Sequence, residues 1–266
     1  MNIFVIGTGN VAYSLVPALK NAGHNIVGVY GRSQDKVRRF ADLYGLIPVY
    51  DTAQITPCAD IYIICTADKG IVPTAAVLKT KNIVIHTSGS TDINILKRFF
   101  QKCGVMYPVQ TFTTGRMADL SQVPLLVEAS DEICEQKILR LAQSISQDVR
   151  PMTSAQRKCL HLSAVFACNF TNHIIAAAKV LMAENNVDFN LLEPLMTETI
   201  NKALTSDPIL GQSGPAVRRD TGIMNFHLEM LNTHPTLKKI YSYMSESIME
   251  FSDTYKDGIP RETEED

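Results

Sequence analysis

The feature that most constrains this chain is a glycine-bearing turn held between two apolar runs in its first thirty-odd residues. Ile3 to Ile6 leads into Gly7, Gly9 and Ala12, and a second run from Asn25 to Tyr30 closes on Gly31-Arg32-Ser33. In a strand, turn and helix of this spacing, Gly7 permits the tight turn, Gly9 lets backbone approach a pyrophosphate, and Ala12 lets helix and strand pack closely. Ala12 to Ala22 reads as the helix, entered through Asn10 and Val11. Phosphates would rest on its N-terminus, where unpaired N–H groups and the macrodipole favour an anion. Gly7, Gly9, Asn10, Val11 and Ala12 are therefore candidate cofactor contacts.

The end of the second strand selects the dinucleotide. An NAD-binding unit places a carboxylate there for the ribose 2′-hydroxyl, but this chain offers Gly31, Arg32 and Ser33, and Asp35 lies beyond the strand end. Arg32 supplies a planar fork of donors suited to a phosphate dianion and Ser33 adds a hydroxyl, so the expected cofactor is NADP. Lys36 and Arg39, one helical turn apart, add positive potential. The alternative is a surface arginine that merely opens a helix.

Apolar runs that read as strands recur at 2–7, 26–31, 60–65, 82–86, 104–107 and 124–128, with Ile47-Pro48-Val49 a weaker candidate. Strands alternating with helices imply right-handed crossovers and a mainly parallel sheet covered on both faces, an α/β fold of Rossmann type. After a helix at about 131–146 and an extended piece from Asp148 to Met152, the pattern turns helical, with spans at 154–185, 189–205, 221–232 and 235–254. The expected division is residues 1–152 for the dinucleotide and 153–266 for an all-α domain, with Pro151 marking the boundary. Leu160 to Ala178 is apolar on most faces and is expected to be buried nearly all round, inside a helical domain or at a subunit interface. The tail from Arg261 to Asp266 is acidic and expected to fray.

With 266 residues, 45% hydrophobic, and a formal net charge of −2, the chain has ample core and no electrostatic reason to bind nucleic acid or an anionic membrane. Six cysteines form no C-x-x-C pair and most fall in apolar segments, consistent with reduced thiols and no metal site. The first strand begins within two residues of the start, leaving no room for a signal segment, and no uninterrupted apolar run is long enough to span a bilayer. A soluble, cytoplasmic protein is expected.

If the first half binds a dinucleotide, chemistry belongs in the loops outside the carboxyl ends of the strands. Cys65-Thr66-Ala67-Asp68, His86-Thr87-Ser88-Gly89-Ser90 and Tyr107-Pro108-Val109-Gln110-Thr111-Phe112 are those loops, with Thr66 and Ala67 candidate cofactor contacts. Ser88 and Gly89 could hold a substrate oxygen, or equally cap the helix that begins near Thr91. Asp68 reads as an N-cap or loop carboxylate. On the long helix, Ser154, Lys158, His161, Asn169 and Asn172 fall on one stripe at ~100° per residue. Lys158 and Asn169 are about 16 Å apart along the axis, so the N-terminal end of the stripe is the expected catalytic part. Gly214-Pro215 followed by Arg218, Arg219 and Asp220, with His227 beyond, reads as an anion clamp or as a charged loop tightened by its own salt bridge.

Together Gly7-Thr8-Gly9-Asn10-Val11-Ala12, His86-Thr87-Ser88-Gly89, Tyr107 to Phe112, His161 through Asn169, and Gly214-Pro215 with Arg218, Asp220 and His227 carry a resemblance to a bacterial family. Its members pair a Rossmann-like NADP-binding domain with a helical domain of uncharacterised function and are described as NADP oxidoreductases. More distantly the chain is similar to the 6-phosphogluconate dehydrogenase, hydroxyisobutyrate dehydrogenase and pyrroline-carboxylate reductase group, which implies a 6-phosphogluconate-dehydrogenase-like C-terminal domain and an obligate dimer. Sugar-acid members carry K-x-x-H-N on the long helix. Here Lys158 and His161 match, but Leu162 stands in place of the asparagine, and it also breaks the hydroxyacid pattern of a lysine with an asparagine four on.

The resulting expectation is an NADPH-dependent oxidoreductase acting on a small polar carbonyl, imine or alcohol, and a homodimer through its helical domain. His161 or Lys158 would move the proton, Ser88 would orient the substrate and Asn169 would support. The alternatives are a non-catalytic NADP(H) sensor, and a flavin or deazaflavin in place of nicotinamide.

Overall fold

The computed structural model describes residues 1–55, 58–113 and 117–258. The acidic tail lies outside the described residues. Contacts group the chain into two compact units, Met1–Ala167 and Cys168–Asp266.

The first unit is built on eight strands: β1 (Asn2–Ile6), β2 (Asn25–Tyr30), β3 (Pro48–Val49), β4 (Ile61–Ile64), β5 (Ile83–His86), β6 (Cys103–Pro108), β7 (Leu125–Ala129) and β8 (Val149–Pro151). Their order is β3-β2-β1-β4-β5-β6-β7-β8. All neighbours run parallel except β6 and β7, which are antiparallel, so the chain reverses direction before its last two strands. The order switches between β1 and β4, which opens the crevice where such sheets bind ligands.

The near-continuous apolar runs follow from burial on both faces. Ile3 and Val5 pack with α1 (Asn10–Asn21), α2 (Gln34–Tyr44) and α5 (Glu132–Gln143), through Leu15, Leu19, Phe40 and Ile138. Phe4 and Ile6 face α3 (Ile71–Val77) and α4 (Asn94–Lys97), through Ile71, Ala75 and Leu96. Pro17 lies inside α1 and cannot donate to the carbonyl of Tyr13 four residues back. The Tyr44 hydroxyl donates to that oxygen instead, at 3.0 Å, and the helix survives its proline.

α6 (Ser154–Ala164) closes the first unit. Thr153 and Gln156 form a reciprocal capping box at its start, satisfying two backbone donors that the helix cannot. The helical run then changes type: Val165–Phe170 is π-helical before α7 (Thr171–Glu184) resumes. The stripe drawn at a constant helical angle therefore fails beyond Ala164, because i→i+5 bonding adds a residue to the turn and re-aims everything after it.

The second unit holds α7, α8 (Glu193–Thr205), α9 (Thr221–Met230) and α10 (Pro235–Thr254). Ala216, Leu231 and Ser245 are its buried residues among those described. Leu162, Phe166, Phe170 and Ile174, expected to be enclosed, are 41–62% exposed, so the chain by itself does not bury this helix. Ser154–Glu184 is also long and apolar enough, by length and composition, to cross a membrane. It is not an uninterrupted apolar run, because Lys158, His161, Asn169 and Asn172 punctuate it. Cys65, Cys103 and Cys134 are buried and Cys58, Cys159 and Cys168 exposed, so fewer thiols lie in the core than their apolar neighbours suggested.

Candidate functional site

Gly7 has φ +116, and a Cβ there would stand 2.6 Å from the Cys65 carbonyl oxygen, so both conformation and space demand glycine. Gly9 differs. A Cβ on it would meet protein only at 3.7 Å, an ordinary contact, so the fold does not require this glycine and the room above it is open to a ligand. Gly9 is the N-cap of α1 without a side-chain cap, and no acidic residue occupies the first turn. The donors at this helix end are left for an anion. Ala12 is fully buried, and Asn10 is held by a hydrogen bond from its side-chain amide to the carbonyl of Phe112, at 3.0 Å. Val11 packs at the edge of the core.

Gly31 sits tightly against Val37, while Arg32 and Ser33 are exposed, Ser33 as the N-cap of α2 with no side-chain cap bond. Across the crevice, Thr66 follows β4 and Ala67 is exposed. The Thr66 Oγ1 is buried without a hydrogen-bond partner among the described residues. An open glycine, a set of helix-end donors without a side-chain cap, an exposed guanidinium and a buried hydroxyl beside the turn fit a phosphorylated dinucleotide.

The loop after β5 is tied down by a residue the sequence did not single out. Arg157 on α6 is fully buried; its Nη1 pairs with Glu128 Oε2 of β7 at 2.6 Å, its Nε donates to the Ser88 carbonyl at 3.3 Å, and its Nη2 donates to the Thr91 carbonyl at 2.7 Å. Ser154 completes the cluster, donating to Glu128 at 2.6 Å and accepting from the Ile93 N–H at 3.1 Å. Ser154 thus belongs to the buried docking of α6 rather than to an open stripe. Ser154 and Arg157 are one turn apart after a T-x-x-Q capping signature, which was the available clue.

Ser88 is committed to the turn: its Oγ accepts from the N–H groups of Ser90 and Thr91 and donates to Thr91 Oγ1 at 2.9 Å. Of the two readings open for Ser88, these bonds show the polar turn, while the helix beyond it, α4, begins at Asn94 behind Ile93 with no side-chain cap bond. Asp68 accepts from the Ser90 hydroxyl. His86 is fully buried; its Nδ1 accepts from the Ser88 N–H at 3.2 Å and its Nε2 has no hydrogen-bond partner among the described residues. Burial, reinforced by the positive charge of Arg157, pushes its pKa down to about 3, so the ring is neutral with its proton on Nε2.

Lys158 and His161 separate in role. The Lys158 ammonium is bound to Asp92 at 2.7 Å, and this bond is the chief reason the Asp92 carboxyl lies below its ordinary range. His161 is half-buried and stands over the backbone of Gly89, where a Cβ would lie 3.0 Å from its Nδ1 and 2.6 Å from Cζ of Tyr107. Its Nδ1 is 3.4 Å from the Tyr107 hydroxyl, with the rings edge to face at 6.2 Å. Tyr107 belongs to β6, whose carboxyl end lies beside that of β5. Gly89, Tyr107 and His161 therefore converge at the sheet edge.

Asn169 and Asn172 are exposed and belong to the second unit. There Arg219 pairs with Asp253 of α10 at 2.7 Å and Asp220 caps α9 through the Ile223 N–H at 3.1 Å, so the charged loop is tied to the two helices rather than closed by an internal salt bridge. Arg218 remains exposed. A cavity of about 550 Å³ within this unit is lined by Leu181, Met230 and Leu231 together with His227, whose Nδ1 is 2.9 Å from the Tyr241 hydroxyl.

Residues 2–88 match the family model described as NADP oxidoreductase, coenzyme F420-dependent, and residues 123–248 match a domain of unknown function, DUF2520. A protein from Bacteroides fragilis described as a putative NADP oxidoreductase is 35% identical, with 94% of this chain and 98% of that chain covered and a TM-score of 0.85. At lower identity the likeness is one of fold. The imine reductase of Myxococcus stipitatus in complex with NADP+ is 13% identical, over 96% of this chain and 95% of that chain, with a TM-score of 0.68. The 1-pyrroline-5-carboxylate reductase of Streptococcus pyogenes is 16% identical, over 94% and 98%, with a TM-score of 0.64. No curated protein matches the chain.

Proposed function

We propose, from the premise that this chain belongs to the family of NADP oxidoreductases that join a Rossmann-like domain to a helical one, that it transfers a hydride between NADP(H) and a small polar carbonyl, imine or alcohol. Gly7, Gly9, Asn10, Val11 and Ala12 cradle the pyrophosphate, Gly31, Arg32 and Ser33 take the 2′-phosphate, and Thr66 and Ala67 face the cofactor from β4. NADPH supplies the hydride when bound. The chain supplies the proton through His161 and excludes Lys158, which is already engaged by Asp92. The observation that carries this reading is the seat of His161 over Gly89 at the carboxyl edge of β5 and β6, where a nicotinamide held by the β1–α1 turn would deliver its hydride.

The functional division runs at residue 152, with 1–152 holding the cofactor and 153–266 forming the substrate-side and self-association domain. The occupant of the exposed apolar helices is a second copy of the chain. A helical unit whose buried residues are Ala216, Leu231 and Ser245 lacks an adequate core of its own among the described residues, and Leu195, Leu191 and Phe226 join the exposed face. The reading implies a soluble cytoplasmic protein.

The test mixes the protein with NADPH and a panel of 2-oxo acids, cyclic imines, aldehydes and an oxidised deazaflavin, following loss of reduced-nicotinamide absorbance. His161→Ala is expected to lower turnover by at least a hundredfold with an unchanged Kd for NADPH, since a positioned acid contributes about 10²–10⁴. Unchanged turnover removes His161 from the chemistry. Tight NADPH binding with no oxidation across the panel identifies a sensor instead.

A further inference from the structure

The Tyr107 hydroxyl and the His161 ring are brought together by three independent features. Gly89 lies beneath both, and any Cβ there would collide with Tyr107 at 2.6 Å and press on His161 Nδ1 at 3.0 Å. The rings meet edge to face at 6.2 Å and 72°. The hydroxyl reaches Nδ1, rather than Nε2, at 3.4 Å. A contact of that length is loose for an O–H···N bond, as catalytic pairs often are before substrate arrives.

The direction of the bond follows from acid–base chemistry. A phenol is a far stronger acid than a neutral imidazole N–H, and the bare imidazole nitrogen is a far better acceptor than a phenol oxygen. Tyr107 therefore donates to Nδ1. That bond fixes the neutral ring with its proton on Nε2, the nitrogen turned away from Tyr107.

We infer that Tyr107 is a positioning residue that sets the tautomer of His161 and refills it, so that His161 delivers its Nε2 proton and takes the Tyr107 proton on Nδ1 in the same step. This rests on His161 being the proton donor of the reductase. NADPH provides two electrons and one proton equivalent as hydride to the substrate carbon, and the substrate oxygen or nitrogen receives the Nε2 proton. His161 ends neutral, now protonated on Nδ1, and Tyr107 ends as a phenolate that regains a proton from water. Without the hydroxyl, a neutral His161 could give up its proton only by becoming an imidazolate. The Arg157–Glu128 and Lys158–Asp92 pairs hold α6 and the β5 loop in place around this relay.

Tyr107→Phe keeps the ring that packs on the core and removes only the oxygen. In wild-type protein, ¹⁵N NMR of the imidazole is expected to report an unprotonated Nδ1 and a protonated Nε2 for His161, identified by its loss in His161→Gln. In Tyr107→Phe the two nitrogen shifts should converge as the tautomers mix. With a substrate found in the panel above, Tyr107→Phe should lower kcat at least tenfold while KM and the Kd for NADPH move less than twofold. An unchanged tautomer ratio overturns the pairing, and a changed tautomer with unchanged kcat overturns the relay. If wild-type protein reduces nothing, the reductase reading and the relay both fall, while the NMR result still decides whether Tyr107 sets the tautomer.

Discussion

At the scale of single residues, Gly7 and Gly9, two positions apart, would look alike in any motif, yet they answer to different physics. Gly7 is required by the protein, because its left-handed φ and the Cys65 carbonyl leave no space for a side chain. Gly9 is not required by the protein, which leaves the space above it open, so on the proposed function its glycine serves the ligand. Arg32 is the matching case at the next strand end, exposed and placed where a 2′-phosphate would lie. Charge-assisted hydrogen bonds to a phosphate contribute about 1.5–3 kcal/mol, so Arg32→Ala is expected to raise the Kd for NADPH by roughly ten- to a hundredfold and leave that for NADH nearly unchanged. Titrations followed by nicotinamide fluorescence check this. Equal losses for both cofactors would remove Arg32 from the 2′-phosphate.

At the scale of elements, the position of α6 is set by a buried ion pair rather than by apolar packing alone. Arg157 bridges from α6 to β7 through Glu128 and to the β5 loop through two carbonyl oxygens. A charged side chain taken wholly out of water is tolerable only with such partners. Removing one member of a buried pair leaves the other uncompensated and costs about 3–5 kcal/mol. Glu128 retains some solvent contact, so Arg157→Ala is expected near the lower end, about 3 kcal/mol by urea unfolding. Arg157→Ala with Glu128→Gln should recover part of that loss, and a fully additive double variant would show that the two do not interact. The π-helical turn at Val165–Phe170 belongs to the same scale, because it changes which residues share a face across the end of α6.

At the scale of the whole molecule, the first unit is a finished object and the second is not. The sheet buries a core on both faces, whereas the helices from Thr171 onward leave Ile174, Leu191, Leu195 and Phe226 open to solvent. The expected species in analytical ultracentrifugation at micromolar concentration is therefore a dimer of the 29.4 kDa chain. Ile174→Glu with Leu195→Glu should shift it to monomer and lower its thermal midpoint. A wild-type monomer would sink the dimer, and partition into detergent or lipid would assign the apolar helix Ser154–Glu184 to a membrane instead.

The sequence by itself determined the strands, the glycine turn, the NADP-type strand end and the change to helix after Met152. These are local facts: alternation, turn conformation and helix capping depend on neighbours a few residues apart. It left open whether Ser88 caps or binds, and whether Lys158 or His161 is free to act. It did not show Arg157 as a buried anchor or Tyr107 as the partner of His161. Only the tertiary structure shows that anchor and that pairing, because Tyr107 and His161 are 54 residues apart, and Glu128 and Arg157 lie on a strand and a helix whose approach is fixed by the packing of the whole sheet. Local pattern specifies which backbone forms, while only the assembled elements specify which polar atoms meet once water is excluded.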